Sequence, residues 1–184
     1  MTVLGEQLPR IFQANLDRIY ERVIQPAMDG LVHHPVLERG EAGSMDESLD
    51  RAAAHIDNYT SNEAAKSFVL TLAAVFERQL SIWARAMGLI DVAKLRGFQE
   101  QLIACANLAS IDLAIEDLGA ELTEMFTVAN VVRHGEGPSC ERLRATAPAL
   151  WSDTAGDYVD LMPGSRLPSE NLRIRRNDWT GPRK

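Results

Sequence analysis

Glu121-Leu122-Thr123-Glu124-Met125-Phe126-Thr127-Val128-Ala129-Asn130-Val131-Val132-Arg133-His134-Gly135-Glu136-Gly137-Pro138 is the stretch whose reading decides the fold. Leu118, Leu122, Met125, Phe126 and Ala129 recur at the i, i+3, i+4 spacing of one apolar helical stripe. Gly135 and Pro138 then supply a stop. Glycine accepts a left-handed backbone just past the last turn, and proline cannot continue the hydrogen-bond ladder. The last turn carries Asn130, Arg133 and His134. A cationic pair there also suits the negative end of the helix dipole, so Arg133 and His134 have a structural explanation as well as a chemical one.

The rest of the chain has the composition of helices. Hydrophobic residues make up 46% and charged residues 24% of 184 residues, enough for one globular core, while aromatics reach only 6%. Leu8, Ile11, Phe12, Leu16, Ile19, Tyr20, Val23 and Ile24 predict a first helix over Leu4–Leu31, kinked or ended by Pro26 and closed by Gly30. Ser44-Met45-Asp46-Glu47 has the form of a capping box and predicts a short second helix to about Tyr59. Thr60-Ser61-Asn62-Glu63 repeats the signal and predicts a long third helix through Met87, with Phe68, Leu72, Val75, Phe76, Leu80 and Trp83 inside. A fourth helix is expected from Asp91 to about Ser110 and a fifth from Ile111 to His134. Ser139–Arg144 suits one or two further turns, stopped by Pro148. After Trp151 the periodicity is lost, and Leu172–Trp179 reads as one strand or an extended arm. The expected architecture is all-α: a bundle of four or five helices over residues 1–151, then an irregular basic C-terminal extension over 152–184.

Several function classes recede on composition alone. No apolar run approaches the roughly 20 residues of a membrane helix, and Met1–Arg10 lacks the basic-then-apolar pattern of a secretory signal. Cys105 and Cys140 have no ligand spacing and read as free thiols in a reducing cytoplasm. Adjacent His33 and His34 in a loop rarely point at one ion, and no third ligand follows, so neither a metal nor a cofactor is expected. Net charge is −7; from Arg166 to Lys184 six basic residues against two acidic ones give +4, leaving −11 for the remainder. An acidic body argues against broad duplex DNA binding, although the tail could touch a phosphate backbone or an acidic partner surface.

Arg133-His134-Gly135-Glu136 matches the signature of the histidine phosphatases, but that chemistry needs a preceding strand, an α/β domain and a second histidine. Here the motif ends a helix, only 50 residues follow, and no histidine comes after His134. A different resemblance emerges when the surroundings are included. Asn130-Val131-Val132-Arg133-His134-Gly135-Glu136-Gly137, followed by Ser139-Cys140-Glu141-Arg142-Leu143 and Ala147-Pro148-Ala149-Leu150-Trp151, resembles small bacterial helical proteins of the HEPN superfamily. Phe76-Glu77-Arg78-Gln79-Leu80 and Trp83 on the long helix fit the same group, so the resemblance covers roughly Phe68–Trp151.

That resemblance implies a bundle that dimerises with the motif helices of two subunits lining one cleft. It also implies an RNA- or nucleotide-directed module of toxin–antitoxin or phage-defence type, with a cognate antitoxin or defence partner. Active members are metal-independent ribonucleases in which histidine moves protons and arginine neutralises the phosphate. Carried onto this chain, His134 is the acid/base candidate, Asn130 shares its helix face one turn earlier, and Arg133 is the nearest cation. The hallmark arginine four to six residues before the histidine is missing: Met125 to Asn130 contain none. Arg133 points about 100° away from His134 around the helix, which leaves Arg78, Arg85 or a partner subunit to supply the clamp. The alternative is a non-catalytic interaction or scaffold protein in which Asn130, Arg133 and His134 form a helix-end cluster tying down Glu77 or Glu136. The family also commonly continues into a final helix, whereas little chain follows Leu172-Arg173-Ile174 here.

Overall fold

The computed structural model describes residues 3–89, 95–151, 156–157 and 168–174, and among them every regular element is helical. α1 runs Val3–Ile19, passes through a π-turn at Tyr20–Ile24 and resumes as α2, Gln25–Asp29. Pro26 explains the interruption, because its ring clashes with the carbonyl four residues back and a widened turn relieves that contact.

α3 spans Met45–Ala86, 42 residues or about 63 Å. The two helices expected here are therefore one. Ser44 does cap it: its Oγ accepts the Glu47 N–H at 3.1 Å, and Glu47 Oε2 accepts the Gly43 N–H at 2.7 Å. The second signal, Thr60–Glu63, lies in mid-helix. No glycine or proline interrupts Met45–Ala86, and Asn62 directs its side chain to another part of the chain instead of to a helix end.

α4 covers Phe98–Ala109 and starts later than the expected Asp91; residues 90–94 lie outside the described part. α5 is Leu118–His134 and follows a 3-10 turn at Ile115–Asp117, so the helix expected from Ile111 begins only at Leu118. Gly135 is the stop, at φ 71° and ψ −136°. Pro138 does more than block continuation: it is the first residue of α6, Pro138–Thr146, where its missing N–H costs no hydrogen bond.

α3 and α5 pack antiparallel. Phe76 meets Phe126 with ring centroids 6.2 Å apart, while Asn62 and Lys66, earlier on α3, hold the 170–174 segment beside the far end of α5. Phe98 of α4 stacks on Phe126, so three rings join three helices. Leu143 and Cys140 of α6 and Val131 of α5 are fully covered in the same core.

The described part of the C-terminal extension is irregular, as expected, yet it belongs to that core. Leu172 is 0% exposed. Asn62 Nδ2 donates to the Leu172 carbonyl and its Oδ1 accepts the Ile174 N–H, both at 2.9 Å. Lys66, itself buried, donates to the Glu170 carbonyl at 2.8 Å, and the Arg173 N–H donates to the Leu150 carbonyl at 3.0 Å. One turn before Asn62, Asn58 grips both backbone groups of His34 and the Asp157 carbonyl. These three polar residues at i, i+4, i+8 thus continue the inner stripe of α3 and bind chain whose own helical structure, among the described residues, is a single 3-10 turn at Ser169–Asn171. The strand or arm expected over 172–179 is without regular structure to Ile174; 175–179 lie outside the described residues. No helix among the described residues is long and apolar enough to cross a membrane.

Candidate functional site

Phe126, Ala129 and Val131 of α5 are turned into the core, and Asn130, Arg133 and His134 occupy its last turn. All three are exposed. None makes a side-chain hydrogen bond or ion pair among the described residues. Asn130 and His134 lie one turn apart, with Arg133 flanking them on the same side.

The helix end is tied down by other groups. Glu136 receives a two-pronged bond from Arg144, with Nη1 to Oε2 and Nη2 to Oε1 both at 2.9 Å, and its Oε1 also accepts the Ser169 N–H at 2.7 Å. Arg144 lies over the Trp151 ring at 5.1 Å, and the Trp151 indole N–H donates to the Pro168 carbonyl at 3.2 Å. Gly135 turns the chain between α5 and this cluster at a positive φ of 71°, a conformation that favours glycine. The expected role of Glu136 as a tether for Asn130, Arg133 or His134 therefore falls to Arg144 and Ser169. Eight residues separate Glu136 from Arg144 across a turn, a spacing without a helical or strand period, so sequence alone offered no signal for the pair.

The hydrogen bonds from Arg144 hold the Glu136 carboxyl at about 2, well below its ordinary 4.5. A depressed carboxylate stabilises the fold above its unfolded value and loses that contribution as pH falls through the folded one. Glu136→Gln should therefore lower the melting temperature at pH 7 by about 3 °C, corresponding to about 1 kcal/mol for a pair half open to water. The gap between variant and wild type should close between about pH 4.5 and 2, read by thermal denaturation across pH. A gap that persists unchanged at pH 2 would mean the carboxylate charge is not its source.

Glu77, Arg78 and Arg85 are not brought to this site within one chain. From the Phe76–Phe126 contact, His134 lies about 12 Å along the bundle in one direction. Arg78 and Arg85 lie about 3 and 14 Å in the other. Both arginines are exposed; Glu77 is half-buried and has no hydrogen bond or ion pair among the described residues. His34 bonds Asp57 at 2.9 Å and His33 lies 3.7 Å from Asp157, so this loop docks on α3 and on the extension. Among the described residues, no group of three or more His, Cys, Asp or Glu could hold a metal ion. Cys105 and Cys140 are buried, free thiols, and burial pushes both above the ordinary thiol range. Compared with known proteins, the chain matches no family model, no curated protein and no solved structure.

Proposed function

We propose that this protein is a cytoplasmic HEPN-like module directed at RNA or a nucleotide, of toxin–antitoxin or phage-defence type, working as a homodimer and cleaving RNA without a metal. The supporting observation is the exposure of Asn130, Arg133 and His134 together, without partners among the described residues. Glu136 and Arg144 tie down the helix end through their own bonds, whereas these three make none among the described residues and stand open to a ligand. In this reading the ribose 2′ oxygen attacks phosphorus, and the bond to the 5′ oxygen breaks. His134 moves the proton, and Arg133 sets positive charge beside the phosphate. Asn130 holds the ring or a phosphate oxygen.

A homodimer has its own support. Met45, Leu49, Ala52, Ile56 and Tyr59 repeat at the 4-3-4-3 spacing of a helix-pairing seam. All are exposed, the four large ones between 60% and 75%. A second α3 fits such a seam, and a partner subunit is the remaining source of the clamp that residues 125–130 lack. The same seam, taken with that missing arginine, favours the second reading, a non-catalytic helical interaction or scaffold protein.

Cleavage of a mixed RNA pool in EDTA separates the two. The ribonuclease reading expects 2′,3′-cyclic phosphate ends, a loss of at least about 100-fold in His134→Ala, and a comparable loss in Ile56→Arg if the partner completes the site. No cleavage by wild type at a concentration where it is dimeric would leave the interaction reading.

A further inference from the structure

α3 outruns α5. Phe76 meets Phe126 in an antiparallel pair, so His134 lies level with about residue 68 of α3, and roughly 35 Å of α3 from Met45 onward reaches past it. The loop before α3 covers one side of this arm through Glu47, Arg51, Asp57 and Asn58. Met45, Leu49, Ala52, Ile56 and Tyr59 stand on the opposite side, with Met45 75%, Leu49 60%, Ile56 63% and Tyr59 67% exposed. No charged residue takes a seam position between Met45 and Tyr59; the next position is Glu63, which bonds Lys66 at 2.7 Å.

We infer that this arm pairs with the same arm of a second copy in the antiparallel direction, with Ala52 at the two-fold axis. The inference rests on the homodimer proposed above and gives its interface a direction and a register. Met45 then meets the partner's Tyr59, Leu49 meets the partner's Ile56, and the two Ala52 side chains meet at the centre, where their size lets the helices close. Every large side chain faces a large one. A slip of one layer in one direction sets Leu49 against alanine and leaves Tyr59 beyond the partner's helix. A slip in the other direction sets Ile56 against alanine and Met45 against Glu63. Parallel pairing is worse: it faces Glu63 with Glu63, aligns the two helix dipoles, and brings together both acidic first turns with Asp46 and Glu47. In the antiparallel register the dipoles oppose and the acidic turns lie at opposite ends. The seam matches its own sequence read backwards, and that selects a second copy of this chain as the occupant. Five side chains from each copy make a short interface, so the dissociation constant should be on the order of 10 μM. The pairing brings the start of the partner's α3 to within about 14 Å of the level of His134 and carries the partner's Arg78 and Arg85 away from it.

Cross-linking reads the direction. Met45→Cys and Tyr59→Cys chains, one of them tagged, should join through a short bis-maleimide when mixed. Neither should join to itself, because like positions stand about 21 Å apart along the axis. Cys105 and Cys140 are buried, and the wild type serves as the control for both. Ile56→Arg on either chain should abolish the mixed cross-link, and Ala52→Phe should weaken the dimer at least tenfold in sedimentation equilibrium. Ile56 and Ala52 are exposed in the single chain, so both variants should keep the helicity and melting temperature of the dilute wild type. Met45→Cys joined to itself, a mixed cross-link that survives Ile56→Arg, or a wild type still monomeric at about 1 mM would overturn the proposal. RNA enters none of these readouts. A cross-linked dimer that cleaves nothing overturns the ribonuclease reading alone, and a monomer that cleaves overturns this pairing alone.

Discussion

Phe126→Ala should cost about 3–5 kcal/mol of unfolding free energy and lower the melting temperature by about 10 °C. Phe126 is 8% exposed, stacks on Phe98 of α4 and receives Phe76 of α3 edge-on, so this one α5 ring joins three helices. Truncation removes the transfer energy of the ring and leaves a void that its neighbours cannot fill without losing their own packing, since Ala73 and Ala129 are already the smallest core side chains. A domain of this kind has about 5–15 kcal/mol in all, so the variant should remain folded at 25 °C with a much smaller margin. Denaturant titration would measure it, with Phe98→Leu as a milder companion that keeps an apolar side chain between α4 and α5. A loss below about 1 kcal/mol would mean that α4 does not pack on α5 through these rings.

The outcome traces back to what a helical period can and cannot encode. The stripe Leu118–Ala129 and the stop at Gly135 were legible because they are local: a 3.6-residue repeat and a glycine need no knowledge of the partner surface. Ser44–Glu47 was legible for the same reason. Thr60–Glu63 misled because a cap motif marks a helix start only where the preceding chain stops being helical, and Met45–Tyr59 offers no breaker. The fate of Asn62 depended on a segment 110 residues away, and no local rule reaches that far. The exposure of Arg133 was not readable: seven residues after Phe126 and four after Ala129 it is in phase with the α5 stripe, yet it stands in water at the helix end. The failure of Arg78 and Arg85 to approach His134 follows from the antiparallel pairing of α3 with α5, which the sequence did not disclose.

Asn62→Leu carries the other large effect, and it tests whether the C-terminal segment belongs to the fold. Leucine keeps the branched shape and suits a helix, so α3 itself should be unaffected. What is lost is a matched pair of bonds to the Leu172 carbonyl and the Ile174 N–H, both left facing an apolar side chain. Two partly buried backbone groups without partners cost about 2–4 kcal/mol together. Segment 168–174 has only one 3-10 turn of its own, Ser169–Asn171, to compensate, and Lys66, Arg173 and Glu136 make further anchors. The expected result is a lower denaturation midpoint together with local opening: faster amide exchange at Arg173 and Ile174, and tryptic cleavage after Arg173 before the α3–α5 core unfolds. Asn62→Asp discriminates further, since it keeps an acceptor for Ile174 but loses the donor for Leu172, and should fall between the two. If Arg173 is cut no faster in Asn62→Leu than in wild type, the segment is held by the burial of Leu172 alone. If cutting is faster while the global midpoint does not move, the extension opens without the bundle, and the core is complete without Leu172.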